Sequence, residues 1–259
     1  MPLASLDGVV GDAEQTLIPV TDGGLLRGDG VFEVIRLYGG RPFALDDHLA
    51  RMRESAERLR LPLDVEAFRR DAETLLGLVG PSDALLRLVA TRGGRRIGLV
   101  EPVPDRSQPV KLALVEYAPL RTLDGVKSLS YAANMLATRL AAERGADEAL
   151  LVTPHGRLLE GPTSSFFYVV DGELCTPPLS DHILDSITRR RVLAAVGVRE
   201  RSVAVGEVAD MSEAFLAGTT REAQPVSEIE GRALPAVPGP QTRAAGEAFR
   251  ALVQAELRA

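Results

Sequence analysis

The sequence predicts an α/β or α+β fold in two domains, and three observations predict it. Strand-like runs alternate with stretches of helical periodicity along the chain, the pattern of mixed architecture. The 259 residues are enough for one large domain or two modest ones. A polar linker, APLRTLDG, interrupts the chain near its middle. The expected division is therefore residues 1–118 as a small N-terminal α/β domain, 119–125 as linker, and 126–259 as a larger C-terminal domain.

Each element has its own signal. Residues 1–43 read as short strands and turns: GDG at 28–30 is a turn, VFEVIRLY (31–38) is a strand, and Gly39-Gly40 turns the chain back into RPF as a hairpin. A helix starts at Leu45; Leu49, Met52, Ala56 and Leu59 mark its apolar face, and Pro62 stops it. Asp64 caps the next helix, with Val65, Phe68, Ala72, Leu75, Leu76 and Val79 on its buried side. ALLRLVATR and VKLALVEYA are strands joined by a long Gly-, Arg- and Pro-rich loop over residues 93–109. After Lys127 comes a helix with Ala133, Leu136, Ala137, Leu140 and Ala141 on one face and Gly145 as its C-cap. EALLVTP is a buried strand, and RLLEGPTSSFFYVVDGELCTPPL holds at least two more. Ser186 opens a helix that runs to Gly197, and RSVAV is a strand. EAFLAGTTREAQPVSEIEG reads strand, turn, strand, and residues 241–257 form an amphipathic tail helix.

Composition narrows the function. Apolar content of 45% and charged content of 25% are those of a soluble globular protein. The net charge of −6 argues against a general nucleic-acid binder. A single cysteine, Cys175, excludes an intrachain disulfide and a CxxC site. No two of His48, His155 and His182 stand at ligand spacing, so no catalytic metal is expected. The N-terminus lacks the pattern of a secretory signal, and no apolar run is long enough to span a membrane, so a cytoplasmic protein is expected.

Lysine usage is the strongest chemical signal. Of 30 Lys and Arg only Lys111 and Lys127 are lysine; the other 28 are arginine. Lysine can shed its proton in a sheltered site and attack a carbonyl, which arginine cannot do. Lys111 fits a strand's alternation and is taken as structural. Three further features stand beside Lys127. Glu160 lies in LLEGPTSSFF. Ser186-Ile187-Thr188 sits at a helix start, where free amides and hydroxyls suit an anion. Gly218-Thr219-Thr220-Arg221 is a hydroxyl-rich turn between strands. Each alone reads as ordinary structure: a solvated glutamate, an N-cap, a turn. Together, an amine for an imine, a carboxylate for a pyridine nitrogen and two hydroxyl-rich turns for a phosphate are what pyridoxal phosphate chemistry needs.

The motifs GDGVFEVIRLYGG, HLARMRESA, VKSLSYAANMLA, GADEALLV, LLEGPTSSFF, TPPL, ILDSITRRRV and FLAGTTREAQPV, in that order over most of the chain, resemble the fold-type IV pyridoxal phosphate enzymes. These are the branched-chain aminotransferases, D-amino-acid aminotransferases and aminodeoxychorismate lyases. The resemblance implies a small α/β domain, a larger pseudo-barrel domain, a homodimer, and pyridoxal 5′-phosphate in the cleft between the domains. It makes Lys127 the Schiff-base lysine and proton carrier, and Glu160 the partner of the pyridine nitrogen. It makes Arg51, Ile187, Thr188 and Thr219 the phosphate contacts. Arg51 flanks the apolar stripe of its helix. Phe32 would wall the substrate pocket. Tyr131 would lie near the cofactor's phenolic oxygen, although it stands one residue nearer the lysine than in typical branched-chain enzymes. The chain departs from the family in having Ser165 where many members have asparagine, and in lacking the Arg-x-His pair of the D-amino-acid enzymes. Arg92, Arg95 or Arg96, or the amides around Thr220, are then the candidates for the substrate carboxylate.

The function expected is transamination between an amino acid, D- or branched-chain/aliphatic, and a 2-oxo acid. The alternatives are an aminodeoxychorismate lyase, releasing 4-aminobenzoate and pyruvate, and a non-catalytic cofactor-binding protein.

Overall fold

The computed structural model describes residues 2–258. The chain divides into two compact units: the first takes the chain up to residue 104, residues 126–131 and the end from 256; the second takes 105–125 and 132–255.

The first unit is built on β1 (Leu3–Leu6), β2 (Val9–Asp12), α1 (Gly23–Arg27), β3 (Gly30–Tyr38), β4 (Arg41–Pro42), α2 (Leu45–Arg58), α3 (Val65–Val79), β5 (Ala84–Thr91) and β6 (Arg96–Glu101). Its sheet has the order β2-β1-β6-β5-β3-β4, antiparallel throughout. Strand alternation sends Val31, Ile35 and Leu37 of β3 and Leu86 and Leu88 of β5 into one core with Leu49, Met52 and Ala56 of α2 and Phe68, Ala72 and Leu75 of α3. Each such fully buried Leu or Phe contributes about 2 kcal/mol. The expected caps and turns form: Asp64 accepts from Ala67 N at 3.0 Å, and Gly39-Gly40 joins β3 to β4.

Strand β6 takes 6 residues, Arg96–Glu101, of the expected 93–109 loop. A Cβ at Gly98 would stand 2.5 Å from Leu75 Cδ1. The glycine is what lets α3 pack down on the strand.

The second unit contains β7 (Val110–Glu116), α4 (Ala132–Glu143), β8 (Glu148–Val152), β9 (Arg157–Leu158), β10 (Ser165–Val170), β11 (Glu173–Thr176), α5 (Ile187–Ala195), β12 (Arg199–Glu200), β13 (Val203–Ala204), β14 (Glu213–Gly218), β15 (Glu222–Ile229), β16 (Arg232–Ala233) and α6 (Pro240–Arg258). Ten strands join as β12-β11-β10-β14-β15-β7-β8-β9-β13, with β16 on β15. The sheet is mixed: β7 runs parallel to both β8 and β15. Its core gathers Phe166, Tyr168, Leu216 and Val226.

Two expectations shift here. The division falls elsewhere than the linker suggests. Strand β7 is hydrogen-bonded into the second sheet, and residues 127–129 pair with β3 of the first. Helix α4 also buries less than its periodicity predicts. Ala137 and Ala141 pack on Ala113 and Ala149, whereas Leu136 and Leu140 remain 49% and 38% exposed. The seam with β7 and β8 is only alanine-wide, so the leucines flanking it stay outside.

Candidate active site

In the first unit Lys127 is fixed by strand pairing. Phe32 N donates to Lys127 O at 3.1 Å, Leu129 N to Gly30 O at 2.9 Å, and Val31 bridges Ser128. The segment thus runs antiparallel along the half of β3 that β4 does not cover. Gly30 permits this, since a Cβ there would meet Ala90 O at 2.3 Å and Leu129 Cδ1 at 2.7 Å. Ser55 of α2 accepts from Lys127 N at 3.2 Å. The partly buried Lys127 side chain places Nζ 4.3 Å from the Phe32 ring centroid and 5.7 Å from that of Tyr131. These two rings meet edge to face at 5.1 Å. The amine therefore stands in an aromatic corner that excludes water on two sides and holds it by cation–π attraction.

The opposite face of β3 carries an ion cluster. Glu33, fully buried, accepts from Arg51 Nε at 2.8 Å, Arg51 Nη2 at 2.6 Å and His48 Nδ1 at 2.7 Å. Burial would raise the Glu33 pKa, but the Arg51 charge and these hydrogen bonds outweigh it and hold the carboxyl at about 2. Burial, opposed by Glu33, pulls the His48 pKa down, with Arg51 and Lys127 adding to the fall. The ring is neutral and its Nδ1–H donates a hydrogen bond to the carboxylate. The sequence placed Arg51 beside the apolar stripe; the structure buries it.

The arginines expected at the substrate carboxylate each pair with an aspartate of the first unit. Arg92 holds Asp29 and the Leu59 and Arg60 carbonyls, and Arg95 pairs with Asp7 at 2.6 Å. Arg96 pairs with Asp71 of α3 at 2.9 Å. Its register partner is Ala90, whose side faces the helices, so Arg96 lies across the sheet from Phe32. Arg87 was missed by sequence reasoning. It opposes Val34 in the register, on the face of Phe32, and its guanidinium lies 5.7 Å from the Phe32 ring and 2.7 Å from Glu101. The signal was there: it is the one charge inside ALLRLVAT, at the same parity as Val89, the register partner of Phe32.

In the second unit Glu160 is tied to the approach of α5, which Ile187 and Thr188 open, and the Thr219-Thr220 turn follows β14. Glu160 O accepts from Leu151 N, and its Oε1 accepts from Leu184 N at 2.9 Å, holding the approach to α5. Ser186 caps that helix through Arg189 N, and Ile187 and Thr188 are buried behind it. Strand β10 begins where antiparallel β14 ends, Ser165 opposite Ala217. The 161–164 bend therefore lies against Gly218, whose Cβ would stand 3.6 Å from Ser164 Cβ. Beneath the turn, Arg221 bonds Glu148 at 2.6 Å, and Glu148 accepts from Thr138 at 2.7 Å. Ser164 Oγ and Ser165 Oγ are buried with no partner among the described residues. Two unmet hydroxyls beside the Gly218 turn fit an anionic group, since each costs about 1–3 kcal/mol left alone. An amine in an aromatic corner and a carboxylate at a phosphate-type cradle are the parts of a pyridoxal phosphate enzyme of fold type IV.

The comparisons agree. The family model for amino-transferase class IV matches residues 30–229. A Methanocaldococcus jannaschii protein provisionally named a branched-chain-amino-acid aminotransferase is 34% identical over 88% of each chain. A Mycobacterium tuberculosis protein named as a bifunctional aminodeoxychorismate lyase and D-amino acid transaminase is 30% identical over 98% of each. A hypothetical aminotransferase from Mycobacterium tuberculosis, solved with alpha-ketoglutarate and PMP, superposes at TM-score 0.90 with 26% identity, covering 98% of this chain and 99% of that one. The chain belongs to the class IV aminotransferase family. It is a transaminase, an enzyme of the family that uses pyridoxal phosphate, rather than a non-catalytic carrier of the cofactor. Among the described residues no helix is long and apolar enough to cross a membrane, and no group of three His, Cys, Asp or Glu could hold a metal.

Proposed function

We propose that the protein exchanges an amino group between an aliphatic amino acid and a 2-oxo acid in two alternating half-reactions, with Lys127 as its catalytic base. The observation that carries this is the placement of Lys127 Nζ in the corner formed by Phe32 and Tyr131. When bound, pyridoxal phosphate supplies the electron sink for the pair left on the substrate α-carbon. Lys127 Nζ would be the group that holds the cofactor, and as the catalytic base it would carry the substrate's α-proton. Glu160, anchored by the Leu184 amide, keeps the pyridine nitrogen protonated. Arg51, the Ile187 amide and the Thr188 and Thr219 hydroxyls receive the phosphate. It is the order of the family's motifs that assigns both sets of residues to one cofactor. Phe32 gives the substrate an apolar wall, favouring aliphatic side chains, and Arg87 on the same face receives a substrate carboxylate. The backbone amides around Thr220 serve as a second carboxylate contact, and Tyr131 lies near the phenolic oxygen. The protein acts as a cytoplasmic homodimer.

The test is borohydride reduction of the holoprotein followed by peptide mass analysis, expected to find the cofactor fixed on Lys127. Cofactor mass on any other residue would refute the assignment. Half-reactions with D- and L-amino acids then identify the donor, and aminodeoxychorismate is expected to yield no comparable 4-aminobenzoate.

A further inference from the structure

We infer that Glu33 is a positioning residue for cofactor binding: its carboxylate fixes the guanidinium plane of Arg51, with His48 bracing one of its oxygens. The inference rests on the proposed contact of Arg51 with the cofactor phosphate.

Glu33 occupies a core position of β3. Its same-face neighbours Val31, Ile35 and Leu37 are wholly buried hydrophobics. An ion there must be paired, and a buried ion pair is commonly no more stabilising than hydrophobic residues of the same volume. Stability alone therefore does not account for Glu33. What the carboxylate does supply is direction. Its two oxygens take Arg51 Nε and Nη2 in a fork, which leaves the guanidinium one plane and one heading. His48 donates to the oxygen that also receives Nη2, so the carboxylate itself cannot swing.

The cluster is tied to the reactive amine. Arg51 and Ser55 lie one turn apart on α2, and Ser55 receives the backbone amide of Lys127. One helix face thus sets both the proposed phosphate contact and the backbone that carries the lysine. A loosened Arg51 would weaken the grip on phosphate without touching the ring end of the cofactor.

The experiment compares dissociation constants of pyridoxal 5′-phosphate and pyridoxal for the full-length chain stripped of cofactor. Wild type, Glu33→Gln, Arg51→Lys and the double variant are measured. Glu33→Gln is expected to weaken pyridoxal 5′-phosphate by about tenfold and leave pyridoxal nearly unchanged, and the double variant to lose little beyond Arg51→Lys alone. Where Glu33→Gln does not fold, Glu33→Asp carries the same test, since it keeps the charge and loses the two-pronged reach. Equal weakening of both ligands, or none, in the Glu33 variant overturns the inference. If Arg51→Lys does not separate the two ligands either, it is the reading of Arg51 that has failed; if only Arg51→Lys separates them, Glu33 alone is wrongly assigned.

Discussion

Acid should weaken the protein through Glu33 by an amount that can be worked out. The carboxyl ordinarily titrates near 4.5 and is held near 2 in the fold. That difference corresponds to about 3 kcal/mol, with no discount for solvent because the group is fully buried. A depressed carboxyl stabilises the fold fully above its unfolded value, and the contribution is lost as pH falls toward the folded one. About 1 kcal/mol is gone by pH 4 and about 2 kcal/mol by pH 3. Glu33→Gln lacks this dependence but leaves the Arg51 charge buried without its partner, which costs about 3–5 kcal/mol near neutrality. Urea unfolding of both proteins in a His48→Asn background between pH 7 and pH 4 gives the difference directly, because His48, whose pKa Glu33 raises, is then absent and every other carboxylate titrates in both. The gap should narrow by about 1 kcal/mol on going to pH 4. A gap of constant size would refute the argument that Glu33 is ionised against Arg51.

His48 adds an earlier phase. Its pKa is lowered by burial, so below its ordinary 6.5 the unfolded chain takes a proton that the fold refuses. His48→Asn should therefore flatten the loss of stability just below neutrality, read as urea midpoints against pH. Lys127→Arg keeps the charge but not a deprotonable amine; turnover should vanish while the circular dichroism and melting curve stay near wild type. Arg87→Gln should raise the KM for the 2-oxo acid by about tenfold to a hundredfold without changing cofactor affinity, and an unchanged KM would remove Arg87 from the site. Gly40→Ala should destabilise the fold measurably in thermal melts, because Gly40 has φ +79° and its Cβ would stand 2.2 Å from Gly80 O.

The sequence by itself determined the family, the mixed fold and the residues whose chemistry is local. Lys127 stood out because arginine fills nearly every other basic position, and Ser186 because a cap is written in a few consecutive residues. Gly39-Gly40 and Asp64 were legible for the same reason. What depended on pairing between distant segments was not. Arg87, Arg92 and Arg96 lie within ten residues of one another, yet the register between β5, β3 and β6 sends Arg87 to the face of Phe32 and Arg96 to α3. Leu136 and Leu140 fit a buried stripe, but the width of the sheet beneath them decides how much of the helix is covered. Glu33 looked like one more residue of a strand. Only the docking of α2, which brings His48 and Arg51 over β3, makes it a buried ion, because a charge's cost and use are set by neighbours that the linear order does not contain.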